Sequence, residues 1–204
     1  MGHPFVIGLT GNIASGKSLV ASILVDLGAE LIDADQVARD CLAPGSPGAA
    51  AVITRFGPLV LGSDGVLDRR ALGRIVFSDP AALADLEAIV HPPTREEILS
   101  RLGRSQATVV VIEAIKLLES PLMTEVNSVW VVTAPRDARI ERLVDRGLSL
   151  DEANQRVDAQ SPESAKVERS DVVIRNDGSK KELRDQVAQA WSQMMQRVEV
   201  VRGS

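Results

Sequence analysis

An apolar run, Phe5-Val6-Ile7-Gly8-Leu9, leads into Gly11-Asn12-Ile13-Ala14-Ser15-Gly16-Lys17-Ser18, an octet that fits G-x-x-x-x-G-K-[ST]. Glycines at the two fixed positions let the backbone turn tightly, so that successive N–H groups converge on phosphate oxygens. A lysine in the place of Lys17 reaches β- and γ-phosphates, and a hydroxyl in the place of Ser18 can ligate Mg²⁺. These eight residues together suit the binding of a nucleoside triphosphate. The competing reading, a Gly-rich turn with no ligand, is disfavoured by context, because a strand-like run precedes the octet and Leu19 to Leu27 reads as a helix after it.

Other side chains are candidates for the chemistry itself. Asp33 and Asp35 close the next apolar stretch, where a carboxylate can accept the proton of a substrate hydroxyl or orient it for in-line attack. Equally, Asp35 can be the N-cap of the helix that follows. Glu113 ends a third apolar run, a place for an acid near the Mg²⁺ water shell or for a strand-end side chain facing solvent. Arg136, Arg139, Arg142 and Arg146 recur along one segment, and the last three share a helix face by their three-and-four spacing. Guanidinium groups on a mobile lid can neutralise charge on a transferring phosphoryl group. The plainer alternative pairs them with Asp137, Glu141 and Asp145 on a solvated face. Asn176-Asp177-Gly178 can border an adenine ring or form an ordinary turn. His91-Pro92 marks a helix start, and a lone histidine has no partner set for metal or nucleophilic work.

The elements that must position these residues follow from periodicity and punctuation. Residues 4–9 predict a buried first strand, followed by a helix from about Gly16 to Leu27 with Gly28 as its stop. Glu30–Asp33 predicts a short strand, and a helix follows to about Leu42. Ala43-Pro44-Gly45-Ser46-Pro47-Gly48 is turn material and a boundary. Between 48 and 104 no long strand is expected, but short helices over Ala49–Phe56, Asp68–Phe77, Pro80–Val90 and Pro92–Arg104, the third opened by Asp79-Pro80. Thr108–Ile112 and Val129–Thr133 lack alternation, which predicts strands buried on both faces. Ser149-Leu150-Asp151-Glu152 is a capping box opening a helix to about Gln160, and Ser161-Pro162 starts another. Asp171–Ile174 predicts a last strand, and Ser179-Lys180-Lys181-Glu182 caps a helix to about Gln196. Strands separated by helices imply an α/β fold with a five-stranded parallel sheet, its ligands at the carboxyl ends of the strands. The terminal Arg202-Gly203-Ser204 is expected to take no part in it.

Composition narrows the class of molecule. The chain has 204 residues, room for one α/β domain with an embedded lobe. With three Phe, two Trp and no Tyr, aliphatic side chains and alanine must fill the core. A formal net charge of −5 argues against a nucleic-acid partner, which calls for a basic footprint. Anionic ligands must then be held by local Arg and Lys and by helix N-termini. The lone Cys41 excludes an intrachain disulfide and a cysteine metal site, and suits a reducing cytoplasm. No uninterrupted apolar run approaches a membrane span, and no signal peptide is visible. Small-molecule substrates and a monomer or weak homo-oligomer are the expectation.

The order of these pieces resembles the dephospho-CoA kinase family over about residues 4–195. The carrying segments are Ile7-Gly8-Leu9-Thr10-Gly11 through Gly16-Lys17-Ser18, Leu27-Gly28, and Asp33-Ala34-Asp35 with Arg39. Further on come Phe56-Gly57, Asp64-Gly65-Val66-Leu67-Asp68-Arg69 with Leu72, Val76-Phe77, and Leu86-Glu87-Ala88-Ile89-Val90-His91-Pro92. Leu117-Leu118-Glu119, Arg142-Leu143 with Arg146, Ala159-Gln160, and Asp171 with Val173-Ile174 and Asn176-Asp177-Gly178 complete the match. The resemblance implies a P-loop kinase that uses ATP and Mg²⁺ to phosphorylate the ribose 3′-hydroxyl of dephospho-CoA. It implies that Asp35 is the base, that Gly11 to Ser18 hold the phosphates, and that Ser18, with Glu113 near it, serves the metal. Arg142 looks like the lid arginine, with Asn176 on the nucleotide side. Asp33, Arg39, Arg69 and His91 would lie toward the acceptor. The helical insert, about 45–104, looks like a coenzyme-binding lobe, and about 136–168 looks like the lid, with a core of about 4–44, 105–135 and 169–197. Alternatives within the residues alone are a P-loop kinase for another hydroxylated metabolite or nucleoside, or a nucleotide-hydrolysing switch, though no Asn-Lys-x-Asp guanine motif occurs.

The chain departs from the family pattern in three places. Asn12 and Ala14 stand where glycine is usual, so the loop keeps its form if both have negative φ. The run after the third strand reads Glu113-Ala114-Ile115-Lys116-Leu117-Leu118-Glu119, with Lys116 out of character and Glu113 where aspartate is more usual.

Overall fold

A computed structural model of the chain describes residues 3–202. Gly203 and Ser204, the end of the terminal tripeptide, lie outside the described residues. Two compact units are formed, one by Met1–Asp33 with Arg104–Ser204 and the other by Ala34–Gly103.

The first unit is a five-stranded sheet with helices on its faces. Its strands are β1 (Phe5–Gly11), β2 (Glu30–Asp33), β3 (Val109–Glu113), β4 (Ser128–Thr133) and β5 (Val172–Arg175), in the order β2-β3-β1-β4-β5 with every pairing parallel. Parallel neighbours need crossover connections, which explains why helical segments separate the strands in sequence. All five residues of β3 are buried, as its unbroken apolar run requires of an inner strand covered on both faces.

One face of the sheet carries the larger core. Ile7, Leu9, Val111, Trp130, Val132 and Ile174 pack there against Val20, Ile23 and Leu24 of α1 (Lys17–Asp26) and Leu183, Val187 and Met194 near the C-terminus. Full burial of each such side chain stabilises the fold by roughly 1.5–3 kcal/mol. The opposite face buries Val129 and Val131 against Leu118, Met123 and Val167. A smaller apolar cluster joins Ala14, Ile140, Leu143, Ala153 and Val157.

The second unit is all-helical. It contains α2 (Ala34–Cys41), α3 (Pro47–Phe56), α4 (Arg69–Ser78) and most of α5 (Pro80–Arg104). Ser46 caps α3 by accepting from the Ala49 N–H at 3.1 Å, and the Asp68 carboxylate caps α4 by accepting from Arg70 and Ala71. Those two hydrogen bonds hold the Asp68 carboxyl below the usual carboxylate range. Val52, Val60, Leu72, Val76 and Ala82 form the core of this unit.

The structure corrects two sequence expectations. Pro80 to Arg104 is one helix, not two, with Pro92 and Pro93 inside it. Proline removes an N–H from a helix but leaves φ within the helical range, so the price is a local loss of two backbone bonds. Apolar residues before the prolines (Ala82, Leu83, Leu86, Ile89) keep helical spacing and pack in the unit's core, and the Thr94 hydroxyl bonds the Val90 carbonyl at 2.7 Å just beyond them. The last helices of the first unit are α6 (Arg136–Val144), α7 (Leu150–Asp158), α8 (Glu163–Val167) and α9 (Lys180–Arg202). Thus α9 passes its expected end at Gln196 and takes in Arg202. Ser149 and Glu152 make the capping box of α7 that the sequence predicts.

Candidate active site

The loop between β1 and α1 is the centre of the first unit's site, and its backbone explains its glycines. Gly11 has φ +152°, and a Cβ there would meet the Val132 carbonyl oxygen at 2.4 Å. Gly16 has φ +103°, and a Cβ there would lie 2.0 Å from Asn176 Nδ2. Asn12 satisfies the condition set by its departure from glycine. Ala14 does not: its φ is +57°, in the left-handed region. The Arg142 guanidinium compensates by donating from Nη1 to the carbonyls of Ala14 at 3.0 Å and Ser15 at 3.2 Å.

Lys17 is buried under this loop. Its ammonium donates to the carbonyls of Gly11 at 3.0 Å and Asn12 at 3.3 Å, which hold the side chain against the loop. Ser15 Oγ and Asn12 Oδ1 are buried with no hydrogen-bond partner. Unsatisfied buried polar atoms inside a loop of convergent N–H groups fit a polar ligand there.

The Ser18 hydroxyl donates to Glu113 Oε1 at 3.2 Å across a separation of 95 residues. Two hard oxygen donors this close suit Mg²⁺, which takes one or two protein oxygens and completes its shell with water and phosphates. Among the described residues no cluster of three His, Cys, Asp or Glu forms a self-sufficient metal cage. Asp33 is in register with Glu113, so both carboxylates stand at the carboxyl end of adjacent strands.

Arg142 and Asn176 close the other side of the loop. Arg142 Nη2 donates to the Asn176 carbonyl at 3.2 Å, and Asn176 Nδ2 donates to the Ser15 carbonyl at 2.7 Å. One guanidinium thus ties α6, the turn after β5 and the phosphate loop together. Of the other arginines of α6, Arg136 pairs with Asp158 at 2.9 Å and bonds Asn154 at 2.8 Å on the exposed face, while Arg139 is buried.

Several contacts of the site escaped the sequence. The Ile13 N–H donates to Gln160 Oε1 at 2.7 Å, and Asn12 Nδ2 donates to the Ser161 carbonyl at 3.3 Å, so the turn between α7 and α8 grips the loop. Thr10 Oγ1 and the Lys166 ammonium both donate to the Ile115 carbonyl, at 3.1 and 2.8 Å, fixing the chain two residues beyond Glu113. Burial pushes the Lys166 amine below its usual value, with the Glu119 carboxylate opposing the shift. Gln160 stood in a matched segment with no role attached, and Lys166 in a plain amphipathic stretch. No periodic pattern marks a side chain whose partner lies 50 or more residues away.

In the helical unit the structure places Asp35 as the second residue of α2, inside its first turn and two residues after Asp33. Because the helix starts at Ala34, Asp35 does not occupy the cap position that the alternative reading required. Arg39 lies in the last turn of α2, and Arg69 Nη2 donates to the Arg39 carbonyl at 2.9 Å, so these two sequence-selected arginines are brought together. His91 is exposed midway along α5, not at a helix start.

With this geometry in place, comparison with known proteins gives a consistent answer. The family model described as Dephospho-CoA kinase matches residues 5–182. The chain is 46% identical over 199 residues to a dephospho-CoA kinase from Frankia casuarinae, covering 95% of this chain and 85% of the relative. It is 47% identical over 195 residues to one from Moorella thermoacetica, covering 93% and 92%. Among solved structures, a Thermus thermophilus protein superposes with a TM-score of 0.84 at 37% identity, over 95% of this chain and 98% of that one. The dephospho-CoA kinase from Campylobacter jejuni superposes with a TM-score of 0.63 at 26% identity, over 97% and 98%. Shikimate kinase from Bacteroides thetaiotaomicron, at 14% identity and a TM-score of 0.51 over 94% and 98%, shares the fold.

Proposed function

The chain belongs to the dephospho-CoA kinase family, and from that premise we infer how its residues divide the work. The protein catalyses the ATP-dependent phosphorylation of dephospho-CoA to coenzyme A. The observation that carries the residue-level reading is the phosphate loop with Lys17 beneath it and the Ser18–Glu113 pair at its exit.

Gly11 to Ser18 take the ATP phosphates on backbone N–H groups. The Lys17 ammonium exchanges the Gly11 and Asn12 carbonyls for β- and γ-phosphate oxygens, a favourable trade because the new acceptors are anionic. Ser18 and Glu113 are the residues that would hold Mg²⁺, which when bound would offset the charge of the phosphates. Arg142, which sits against the loop through the Ala14 and Ser15 carbonyls, neutralises charge developing on the transferred group. Asn176 borders the base.

Asp35 is the proton acceptor of the acceptor's ribose 3′-hydroxyl. As the hydroxyl oxygen forms its bond to the γ-phosphorus, the bond from that phosphorus to the β–γ bridging oxygen breaks and leaves ADP, while the hydroxyl proton passes to the Asp35 carboxylate. Asp33, Arg39, Arg69 and His91 serve the acceptor; about 45–104, which contains Arg69 and His91, acts as a coenzyme-binding lobe, and about 136–168 acts as the lid. The Arg69–Arg39 contact supports the grouping of those two arginines. A single free cysteine supports a cytoplasmic site of action.

A coupled assay of purified protein tests the whole reading. ADP release is expected to require dephospho-CoA, with coenzyme A formed in equal amount. Equal ADP release with and without that acceptor, or turnover with a different alcohol alone, would overturn it.

A further inference from the structure

Arg139 is a buried cation with no employment in the phosphate transfer just described. It is 8% exposed, and its Nε and Nη1 atoms are buried without a hydrogen-bond partner. It lines a cavity of about 310 Å³ at the carboxyl ends of β4 and β5, with Thr133, Arg136, Glu163, Arg175 and Asp177 among the other walls. Glu163 Oε1, from the first residue of α8, is likewise buried and without a partner. Guanidinium is always charged, and leaving its N–H groups unpaired in the interior is among the more expensive arrangements a fold can hold. A direct Arg139–Glu163 ion pair would relieve both groups, yet each faces the cavity unpaired.

What fills the cavity must therefore present acceptor oxygens to Arg139 and a donor to Glu163. Arg136 is already neutralised by Asp158 and braced by Asn154, and the exposed Arg175 stands on the rim with Asp177, so the unpaired Arg139 guanidinium is the cation left for a ligand of the cavity. Charge-assisted hydrogen bonds from the unpaired Arg139 favour an oxyanion, and the unpartnered Glu163 oxygen selects one that carries a proton. We propose that this cavity is a second ligand site, separate from the phosphate loop, for a protonated phosphate group: hydrogen phosphate, or a phosphomonoester monoanion. Its P–O⁻ oxygens accept from Arg139, and its P–OH donates to Glu163. Sulfate has the shape and the charge but no proton to give, so Glu163 repels it. Because Arg139 belongs to α6 and Glu163 to α8, an occupied site also staples these two helices.

Calorimetry on the full chain tests the site, with the phosphate loop first saturated by the β,γ-imido analogue of ATP and Mg²⁺ so that it cannot take the probe. Inorganic phosphate is expected to bind saturably at one site, and sulfate at least about tenfold more weakly, the value of one charge-assisted hydrogen bond. Arg139→Met is expected to weaken phosphate by at least about tenfold, and Glu163→Gln to abolish the preference over sulfate. Arg139→Lys, which keeps the buried charge, serves if the methionine variant does not fold, and is expected to retain part of the affinity. Methyl phosphate at pH 6 distinguishes the two sources of the same chemistry, and either result supports the site. No saturable phosphate binding with the loop filled, equal binding of sulfate by the unaltered chain, or phosphate binding unmoved by both Arg139 variants would overturn the proposal.

Discussion

The two units of this molecule are held by different kinds of hydrogen bond. In the sheet unit the side chains around the phosphate loop find partners far away in sequence: Ser18 with Glu113 at 95 residues, Arg142 with Ala14 at 128, Ile13 with Gln160 at 147 and Asn176 with Ser15 at 161. In the helical unit most side-chain bonds are caps and near neighbours, such as Ser46 to Ala49, Asp68 to Ala71 and Arg39 to Gln36. Its longer links, Arg69 to the Arg39 carbonyl, the Arg55–Asp85 ion pair and the Thr94 hydroxyl to the Cys41 sulfur, span 30, 30 and 53 residues. The helical unit also leaves large apolar side chains in water, with Leu59 at 77% and Phe77 at 86% exposure. A site built from long-range contacts is preorganised once the fold forms, so its residues act through geometry. A unit built from local contacts owes each helix to its own cap, so most of its polar residues act through stability.

Asp35 is the sharpest test of this contrast, because it lies in the helical unit yet is assigned to chemistry. Asp35→Asn is expected to lower kcat by roughly 10²–10⁴-fold with ATP affinity unchanged. Near-normal turnover with a lowered melting temperature would return Asp35 to the structural class. On the other side, Lys17→Ala is expected to lose roughly 10²–10³-fold in kcat and to weaken ATP as well, because its contact serves the bound and the transition state alike. Equilibrium ATP binding measured beside turnover separates the two signatures. If Lys17→Ala left ATP binding intact, the Gly11 and Asn12 carbonyls would be its lasting partners.

Ser46→Ala is the matching change that should touch stability alone. Removing the hydroxyl that accepts from the Ala49 N–H is expected to destabilise the protein by about 1 kcal/mol, read from urea unfolding, with kcat and KM within twofold of the parent. A drop in kcat beyond that would show that α3 positions substrate, and the division between units would fail there.

The same contrast explains what the amino-acid sequence could and could not show. The phosphate loop was legible because its glycines answer to backbone sterics at two points, the Val132 carbonyl and the Asn176 amide, and no other residue fits them. Strands β3 and β4 were legible because burial on both faces removes alternation. The cap chemistry of Asp79, Ser149 and Ser179 is local and was readable for that reason. The continuity of α5 was not, since Pro92 and Pro93 argue for a break and only packing on both sides overrides them. Lys166 and Gln160 were invisible as site residues because nothing within a helical turn of each distinguishes it from a surface residue. Their partners, the Ile115 carbonyl and the Ile13 amide, exist only in the folded chain.

The smallest expected effect belongs to Ala14, where the local and the long-range terms oppose each other at one residue. Its φ of +57° strains an L-residue by roughly 1–2 kcal/mol, which glycine would relieve. Against this, its methyl is 7% exposed and packs with Ile140, Leu143, Ala153 and Val157, a burial of about 0.8 kcal/mol. Glycine also loses about 0.5–1 kcal/mol through the freedom it restores to the unfolded chain. The terms nearly cancel, so Ala14→Gly is expected to change stability by less than about 1 kcal/mol in urea unfolding and to leave turnover near that of the parent. Ala14→Val breaks the balance, because a β-branched residue is worse at positive φ and its added methyls must enter a packed cluster; a loss of roughly 2 kcal/mol or more is expected. If glycine destabilised the protein as much as valine, the position would be governed by the methyl's packing against α6 and α7. The loop's left-handed turn would then be held by the Arg142 bridge and not by the residue at its apex.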